Sequence, residues 1–240
     1  MTTQISGILL AAGRGARVGI EGNKVYVEIA HRPLLLHALS PFLRSPLIDE
    51  IIIVVAREEK ERAASLVQGM KKEIRFVYGG EQRQDSSLAG IEEATGDIVL
   101  IHDVARPFPS QALIARVVTG VRQYGACVPV IPVADTLRYK DEASGLLREE
   151  VRRQGLLRMQ TPQGFKRELI RECLRMSNAS LSDDAQAALA AGARVWTVSG
   201  EAINLKITTT GDIELAEAIA NLVPSVSAIT RKRENDSSSQ

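Results

Sequence analysis

Residues 11–17 read Ala-Ala-Gly-Arg-Gly-Ala-Arg, directly after the apolar run Ile8-Leu9-Leu10, and Asn23-Lys24 follows. Ala11, Ala12, Gly13 and Gly15 carry little bulk, so their backbone amides can face an anion, and Arg14, Arg17 and Lys24 supply charge. That is equipment for phosphate. A strand-to-loop turn with solvated arginines is the plainer alternative. Two familiar phosphate loops do not fit. A dinucleotide fingerprint needs a third glycine where Val18 stands, and an acid where the next strand ends in Ala56-Arg57. A Walker loop needs Gly-Lys-Ser/Thr, whereas Lys24 lies between Asn23 and Val25.

The elements that must position this loop alternate in kind. Ile5–Leu10, Glu50–Val55, Ile74–Tyr78, Asp97–Ile101 and Ala126–Val130 read as strands. Pro33–Arg44 (with Pro41 as a kink or early stop), Glu58–Met70, Ser86–Ala94 and a helix capped by Ser110 and ending at Tyr124 lie between them. Strands apolar on both faces and separated by helices argue for a mainly parallel sheet covered on both sides. Ligands of such sheets sit beyond the carboxyl ends of the strands. The loop at 11–17, Tyr78-Gly79-Gly80 and His102-Asp103 are expected to share that edge. From Ala134 to Gln160 the pattern turns polar and charged, as in an inserted hairpin arm. Helices are expected at Lys166–Met176, Asp183–Ala191 and Gly211–Leu222, with a late strand at Arg194–Val198. Ser182-Asp183-Asp184 reads as a helix cap with acids at the positive helix end. Residues 1–225 then form a single domain with the arm at about 134–160, and 226–240 a disordered tail.

Composition narrows the class. Thirty Lys+Arg against 29 Asp+Glu leave a formal charge of +1, so no global field draws the chain to nucleic acid. No apolar run is long enough for a bilayer, and the N-terminal stretch lacks a basic flank, so a first strand is expected rather than a signal peptide. Cys127 and Cys173 lack metal-ligand spacing and suit a reduced, cytoplasmic protein.

Five further stretches stand in a set order: Gly79-Gly80-Glu81-Gln82-Arg83-Gln84-Asp85-Ser86, His102-Asp103-Val104-Ala105-Arg106-Pro107-Phe108, Pro132-Val133-Ala134-Asp135-Thr136-Leu137, Thr161-Pro162-Gln163-Gly164-Phe165 and Asn204-Leu205-Lys206-Ile207-Thr208. The series resembles the 2-C-methyl-D-erythritol 4-phosphate cytidylyltransferase family over residues 5 to about 220. That resemblance implies a three-layer, Rossmann-like nucleotidyltransferase α/β fold, with a mainly parallel mixed sheet and a protruding β-arm. It implies a cytoplasmic homodimer that exchanges arms and transfers CMP from CTP to a polyol phosphate with Mg²⁺, releasing pyrophosphate.

By the same resemblance, Arg17 and Lys24 stabilise the transition state, and Ala11, Ala12, Gly13 and Gly15 shape the nucleotide loop. Gly80 and Ser86 meet the cytosine, although Ser86 also reads as a helix cap. Thr136, Arg153, Thr161 and Lys206 hold the polyol phosphate, with Arg153 reaching the other subunit's site. Asp103 is the metal candidate, because Mg²⁺ takes oxygen ligands and needs few carboxylates when phosphates complete its shell. Its alternative is a turn aspartate bonding nearby amides. Arg106 is expected at the acceptor phosphate, or paired with Asp103. Lys206 could instead be an outward residue of a strand. His102 reads as packing, since an ionised acceptor phosphate needs no general base.

Two positions depart from the pattern. Asn23 replaces the usual proline, which is expected to loosen the loop that aims Lys24. Ile203 stands where many members carry aspartate, at a position expected near the polyol. Ribitol 5-phosphate or another polyol phosphate therefore stays open as acceptor. A nucleotide-binding regulator without turnover is the reading from a different class.

Overall fold

The computed structural model describes residues 3–13, 23–177 and 180–222. The tail at 226–240 and Arg14, Gly15 and Arg17 lie outside the described residues.

The elements run β1 (Ile5–Leu10), a 3₁₀ turn at Lys24–Tyr26, β2 (Glu28–Ile29), β3 (Arg32–Pro33), α1 (Leu34–Arg44), β4 (Glu50–Val55), a 3₁₀ turn at Arg57–Glu59, α2 (Lys60–Val67), β5 (Ile74–Tyr78), α3 (Arg83–Glu93), β6 (Ile98–Asp103) and α4 (Gln111–Tyr124). There follow β7 (Ala126–Pro132), β8 (Leu137–Lys140), β9 (Leu147–Val151), β10 (Leu157–Met159), β11 (Gln163–Lys166), α5 (Arg167–Met176), α6 (Asp184–Ala190), β12 (Trp196–Ser199) and α7 (Thr210–Leu222).

The main sheet runs β10-β7-β11-β6-β1-β4-β5, with β12 also paired to β7. β5, β4, β1 and β6 are mutually parallel. β11 enters antiparallel between β6 and β7. The reason for the parallel centre lies in the side chains. All six residues of β4 are buried, and its β-branched run fits a pleat covered on both faces. Each fully buried Ile or Val contributes about 1.5–3 kcal/mol. One core lies between the sheet and α1, α2 and α4. The other lies under α3, α5 and α6. A smaller third core joins Ile29, Leu34, Phe108 and Ile207 to Ala216 and Ala220 of α7. The result is the three-layer α/β arrangement expected from the sequence.

Several boundaries differ from those expectations. Pro41 does not stop α1, whose residues from Leu34 to Phe42 are, apart from Leu36, all buried and hold it through the missing donor. β6 runs on to Asp103, so His102 and Asp103 belong to the strand. α3 starts at Arg83: its N-cap is Gln82, in a capping box with Asp85, and Ser86 lies inside the first turn. The late strand is shifted to Trp196–Ser199. The segment expected as the arm divides: β8 and β9 form a separate exposed hairpin, whereas β10 rejoins the main sheet beside β7.

Candidate active site

The carboxyl edge of the parallel strands opens into a cavity of about 710 Å³. The segment after β1 brings Ala12 and Gly13 to its wall, and the first 3₁₀ turn brings Lys24. The β5–α3 junction brings Gly80, Arg83 and Ser86, the end of β6 brings Asp103, and the loop before α7 brings Lys206. Residues far apart in the chain converge because the parallel strands β5, β1 and β6 end on one edge of the sheet, where the loop before α7 also lies.

Local chemistry fixes each contribution. Ala11 is buried, and its amide donates to the Val54 carbonyl at 2.8 Å, so the loop begins as a continuation of β1. Gly79 lies against that loop: a Cβ there would stand 2.5 Å from Ala12 Cβ and 2.6 Å from Ser86 Oγ. The approach that glycine permits therefore holds the segment after β1 and the start of α3 together. α3 sits close to the sheet for the same reason, since a Cβ on Gly90 would meet Ile8 Cγ2 at 2.5 Å. That contact sets the helix whose first residue is Arg83.

Asn23 does not loosen its loop as expected. Its side chain accepts from the Val25 amide at 3.2 Å, capping the 3₁₀ turn, and donates to the Ala11 carbonyl at 3.3 Å. Hydrogen bonds replace the constraint that a proline ring would give. Lys24 Nζ then donates to the Ile207 carbonyl at 2.8 Å, which ties the turn to the segment carrying Lys206. That segment is an irregular loop, so the alternative reading of Lys206 as an outward strand residue is set aside.

Asp103 is the electrostatic centre. Arg83 Nε and Nη2 donate to its Oδ1 at 3.1 and 3.0 Å. Lys206 Nζ donates to its Oδ2 at 2.7 Å. Burial alone would raise this carboxyl's pKa, but Arg83 first, and then Lys206, outweigh burial and hold it well below the usual carboxylate range. Arg83 also contacts Asp184 Oδ2 at 2.9 Å. Asp184 is wholly buried, and neither of its oxygens receives an aligned hydrogen bond among the described residues. Asp183, one residue earlier, is the N-cap of α6, as the cap reading expects, accepting from Gln186. Asp184 exceeds that reading, because it is the second counter-ion of Arg83. Arg83 was missed in the sequence. It stands in the quoted Gly79–Ser86 stretch, but nothing local marks it as bridging two carboxylates.

Behind Asp103 lies a buried tier. His102 Nε2–H donates to the Arg106 carbonyl at 2.8 Å, so Nδ1 is the acceptor for the Thr161 hydroxyl at 3.0 Å. The same hydroxyl accepts from the Asp103 amide at 3.1 Å. Burial lowers the His102 pKa to about 4, leaving the ring neutral. His102 thus packs on Phe42, as expected, and also orients Thr161. Arg106 donates to the Asn204 and Met159 carbonyls, both at 2.9 Å. It neither lines the cavity nor pairs with Asp103. The buried amides of Gln160 and Asn204, also missed, join the 160–161 turn to the 201–204 loop.

The structure does not bring every expected residue to the cavity. Thr161 lies behind it, and Thr136 and Arg153 are exposed on the arm, where Arg153 donates to the Ala134 carbonyl. Ile203 lines a different cavity of about 210 Å³, with His37, Arg44 and Phe108.

No cluster of three His, Cys, Asp or Glu suited to a metal occurs among the described residues. Asp103 still fits a hard cation that takes most of its oxygens from phosphates. A carboxylate offers about four lone-pair sites, and Oδ2 receives only the Lys206 bond among the described residues. Asp103 would hold such an ion, and the ion would supply charge neutralisation between phosphates. No helix among the described residues is long and apolar enough to cross a membrane.

Residues 5–221 match the family model described as 2-C-methyl-D-erythritol 4-phosphate cytidylyltransferase. The enzyme of that name from Clostridium tetani is 37% identical over 218 residues, covering 88% of this chain and 87% of its own length. The bifunctional enzyme IspD/IspF of Rhodospirillum rubrum is 38% identical over 220 residues, and the match covers 90% of this chain but only 57% of that protein. The crystal structure of the Thermus thermophilus cytidylyltransferase superposes with a TM-score of 0.75 at 35% identity, over 89% of this chain and 98% of that one.

Proposed function

The chain belongs to the 2-C-methyl-D-erythritol 4-phosphate cytidylyltransferase family, and from that premise we propose that it transfers CMP from CTP to 2-C-methyl-D-erythritol 4-phosphate, giving 4-diphosphocytidyl-2-C-methyl-D-erythritol and pyrophosphate. The observation that carries this reading is the family match along residues 5–221, together with one cavity that collects Lys24, Asp103, Lys206, Gly80 and Ser86.

The chemistry follows from charge. An acceptor phosphate oxygen attacks the α-phosphorus of CTP, a new P–O bond forms, and the α–β bridging P–O bond breaks. The electron pair leaves on pyrophosphate, and no proton has to move. Two polyanions must meet, so positioning and charge stabilisation supply most of the rate. Lys24 stabilises charge on the transferring phosphate, jointly with Arg17. Ala11, Ala12, Gly13 and Gly15 frame the triphosphate. Gly80 and Ser86 receive the base, where the absence of bulk lets backbone groups approach. Asp103 holds a divalent cation, which we take to be Mg²⁺. Lys206 exchanges its bond to Asp103 for the acceptor phosphate. Thr136 and Arg153 reach the acceptor in the other subunit of an arm-exchanged homodimer, whereas Arg106 and Thr161 support the acceptor side from behind. We read residues 1–225 as one catalytic unit. Two free, buried cysteines suit a cytoplasmic setting.

The test is pyrophosphate release from CTP and Mg²⁺, with 2-C-methyl-D-erythritol 4-phosphate and ribitol 5-phosphate in parallel. Cation-dependent release with the first acceptor is expected. Release with ribitol 5-phosphate alone would keep the chemistry and replace the acceptor. Silence with both would overturn the proposal.

A further inference from the structure

The Arg83–Asp184 pair is larger than the site needs for phosphate binding and more elaborate than a tie between helices requires. Arg83 lies at the first turn of α3, and Asp184 at the first turn of α6. A tie between them would be complete with their 2.9 Å contact. Instead the guanidinium forks. Nε and Nη2 both go to Asp103 Oδ1, while Nη2 also meets Asp184 Oδ2. Asp184 itself is costly, being a wholly buried carboxylate whose one ion pair among the described residues is Arg83. The α6 end that carries it is fixed independently. Gln163 Oε1 accepts from the Ala185 amide at 3.0 Å, and Gln163 Nε2 donates to Asp183 at 3.1 Å.

We infer that Arg83, braced by Asp184, is a positioning residue for Asp103: the fork saturates Oδ1 and turns Oδ2 alone toward Lys206 and the cation. This rests on the transferase reading above and deepens it. Two N–H groups of one rigid guanidinium take both lone pairs of Oδ1 at once, which a single ammonium N–H cannot do, and Oδ2 is left to other partners. Asp184 meets the same Nη2 that donates to Oδ1, so that Arg83 stays on Oδ1 when a triphosphate enters the same cavity. Asp184 does not line that cavity, and any effect it has on ligands passes through Arg83.

The test uses Arg83→Gln, Arg83→Lys, Asp184→Asn and the double variant, which removes both members of the buried pair and leaves no uncompensated charge. Mn²⁺ binding is read by electron paramagnetic resonance with CTP present and no acceptor, CTP binding is read by calorimetry without metal, and kcat and KM are measured alongside. Removing a supporting partner of a metal ligand typically weakens metal affinity about 10–100-fold, and that loss is expected in Arg83→Gln. A smaller loss is expected in Asp184→Asn, and the double variant should be no worse than Arg83→Gln, since both act on one path. Metal-free CTP binding should stay near wild type in Arg83→Gln and Arg83→Lys, and the latter should not restore the Mn²⁺ affinity. Unchanged Mn²⁺ affinity in Arg83→Gln and Asp184→Asn would overturn the inference. So would a fall in metal-free CTP affinity that accounts for the whole effect, because Arg83 would then be a nucleotide ligand. An inert wild type would defeat the transferase reading, while the Mn²⁺ titrations would still decide this one.

Discussion

Two residues carry the most direct consequences. Lys24 reaches the cavity from a capped turn. Lys24→Ala should lower kcat by about two to three orders of magnitude, the scale of losing one preorganised donor. Pyrophosphate release at saturating CTP checks this, and wild-type turnover would remove the lysine from its role. Gly79 makes a steric prediction. Its added Cβ would fall 2.5 Å from Ala12 Cβ, so Gly79→Ala should push the loop after β1 away from the β5–α3 junction. The expected outcome is a KM for CTP raised at least about ten-fold, roughly 1.4 kcal/mol of binding, with the melting temperature shifted by only a few degrees. The motif reading reached Lys24, Gly80, Ser86, Asp103 and Lys206 because each stands in a short local pattern. It did not reach Arg83, whose meaning comes from Asp184 far along the chain. It also gave Ile203 a place near the polyol, from the family pattern at that position, whereas Ile203 and Lys206 line different cavities.

Elements were legible where burial decides them. β4 matches the expected bounds, since a β-branched run buried on both faces has few alternatives, and β1 and the half-buried β5 match theirs as well. β11 was not legible as a strand. Thr161-Pro162-Gln163-Gly164-Phe165 reads as a motif without a secondary-structure assignment, and Gln163–Lys166 forms a strand by pairing antiparallel with both β6 and β7. Gly164 then packs within 2.6 Å of Val117 and Val121 atoms at the Cβ position, so helix α4 requires the glycine. The 3₁₀ turn at Lys24–Tyr26 yields a prediction about Asn23. Its φ of −82° and ψ of 121° suit proline. Asn23→Pro should therefore keep kcat within about two-fold of wild type, whereas Asn23→Ala removes a cap of roughly 1 kcal/mol and should lower kcat more. Equal activity in the two variants would show that the cap does not aim Lys24.

At the scale of the whole molecule, the arm and the acid response can be measured. The β8–β9 hairpin projects Tyr139, Leu146 and Leu147 into solvent, and Arg153 follows it. Arg153→Ala should raise the acceptor KM about ten-fold or more (1.4 kcal/mol per decade) and leave the CTP KM within two- to three-fold. Sedimentation should show a dimer, and unchanged acceptor kinetics would detach the arm from the site. Stability should fall with pH in a defined window. His102 is held near 4 by burial, against an ordinary value of 6.5. The stability it contributes is complete above about 6.5, and it is lost as pH falls toward 4, because the unfolded chain takes up a proton that the folded one refuses. The full loss is about 3 kcal/mol. His102→Gln should flatten the melting temperature between pH 7 and 4.5, and an unchanged slope would assign the loss to other groups. The cap at Asn23 has one more consequence, in heat rather than charge. A proline ring restricts its torsion equally at every temperature, whereas a hydrogen-bonded cap opens progressively as a sample warms. In this chain the aim of Lys24 is therefore expected to be a thermal variable, loosening by degrees while the sheet beneath it is still intact.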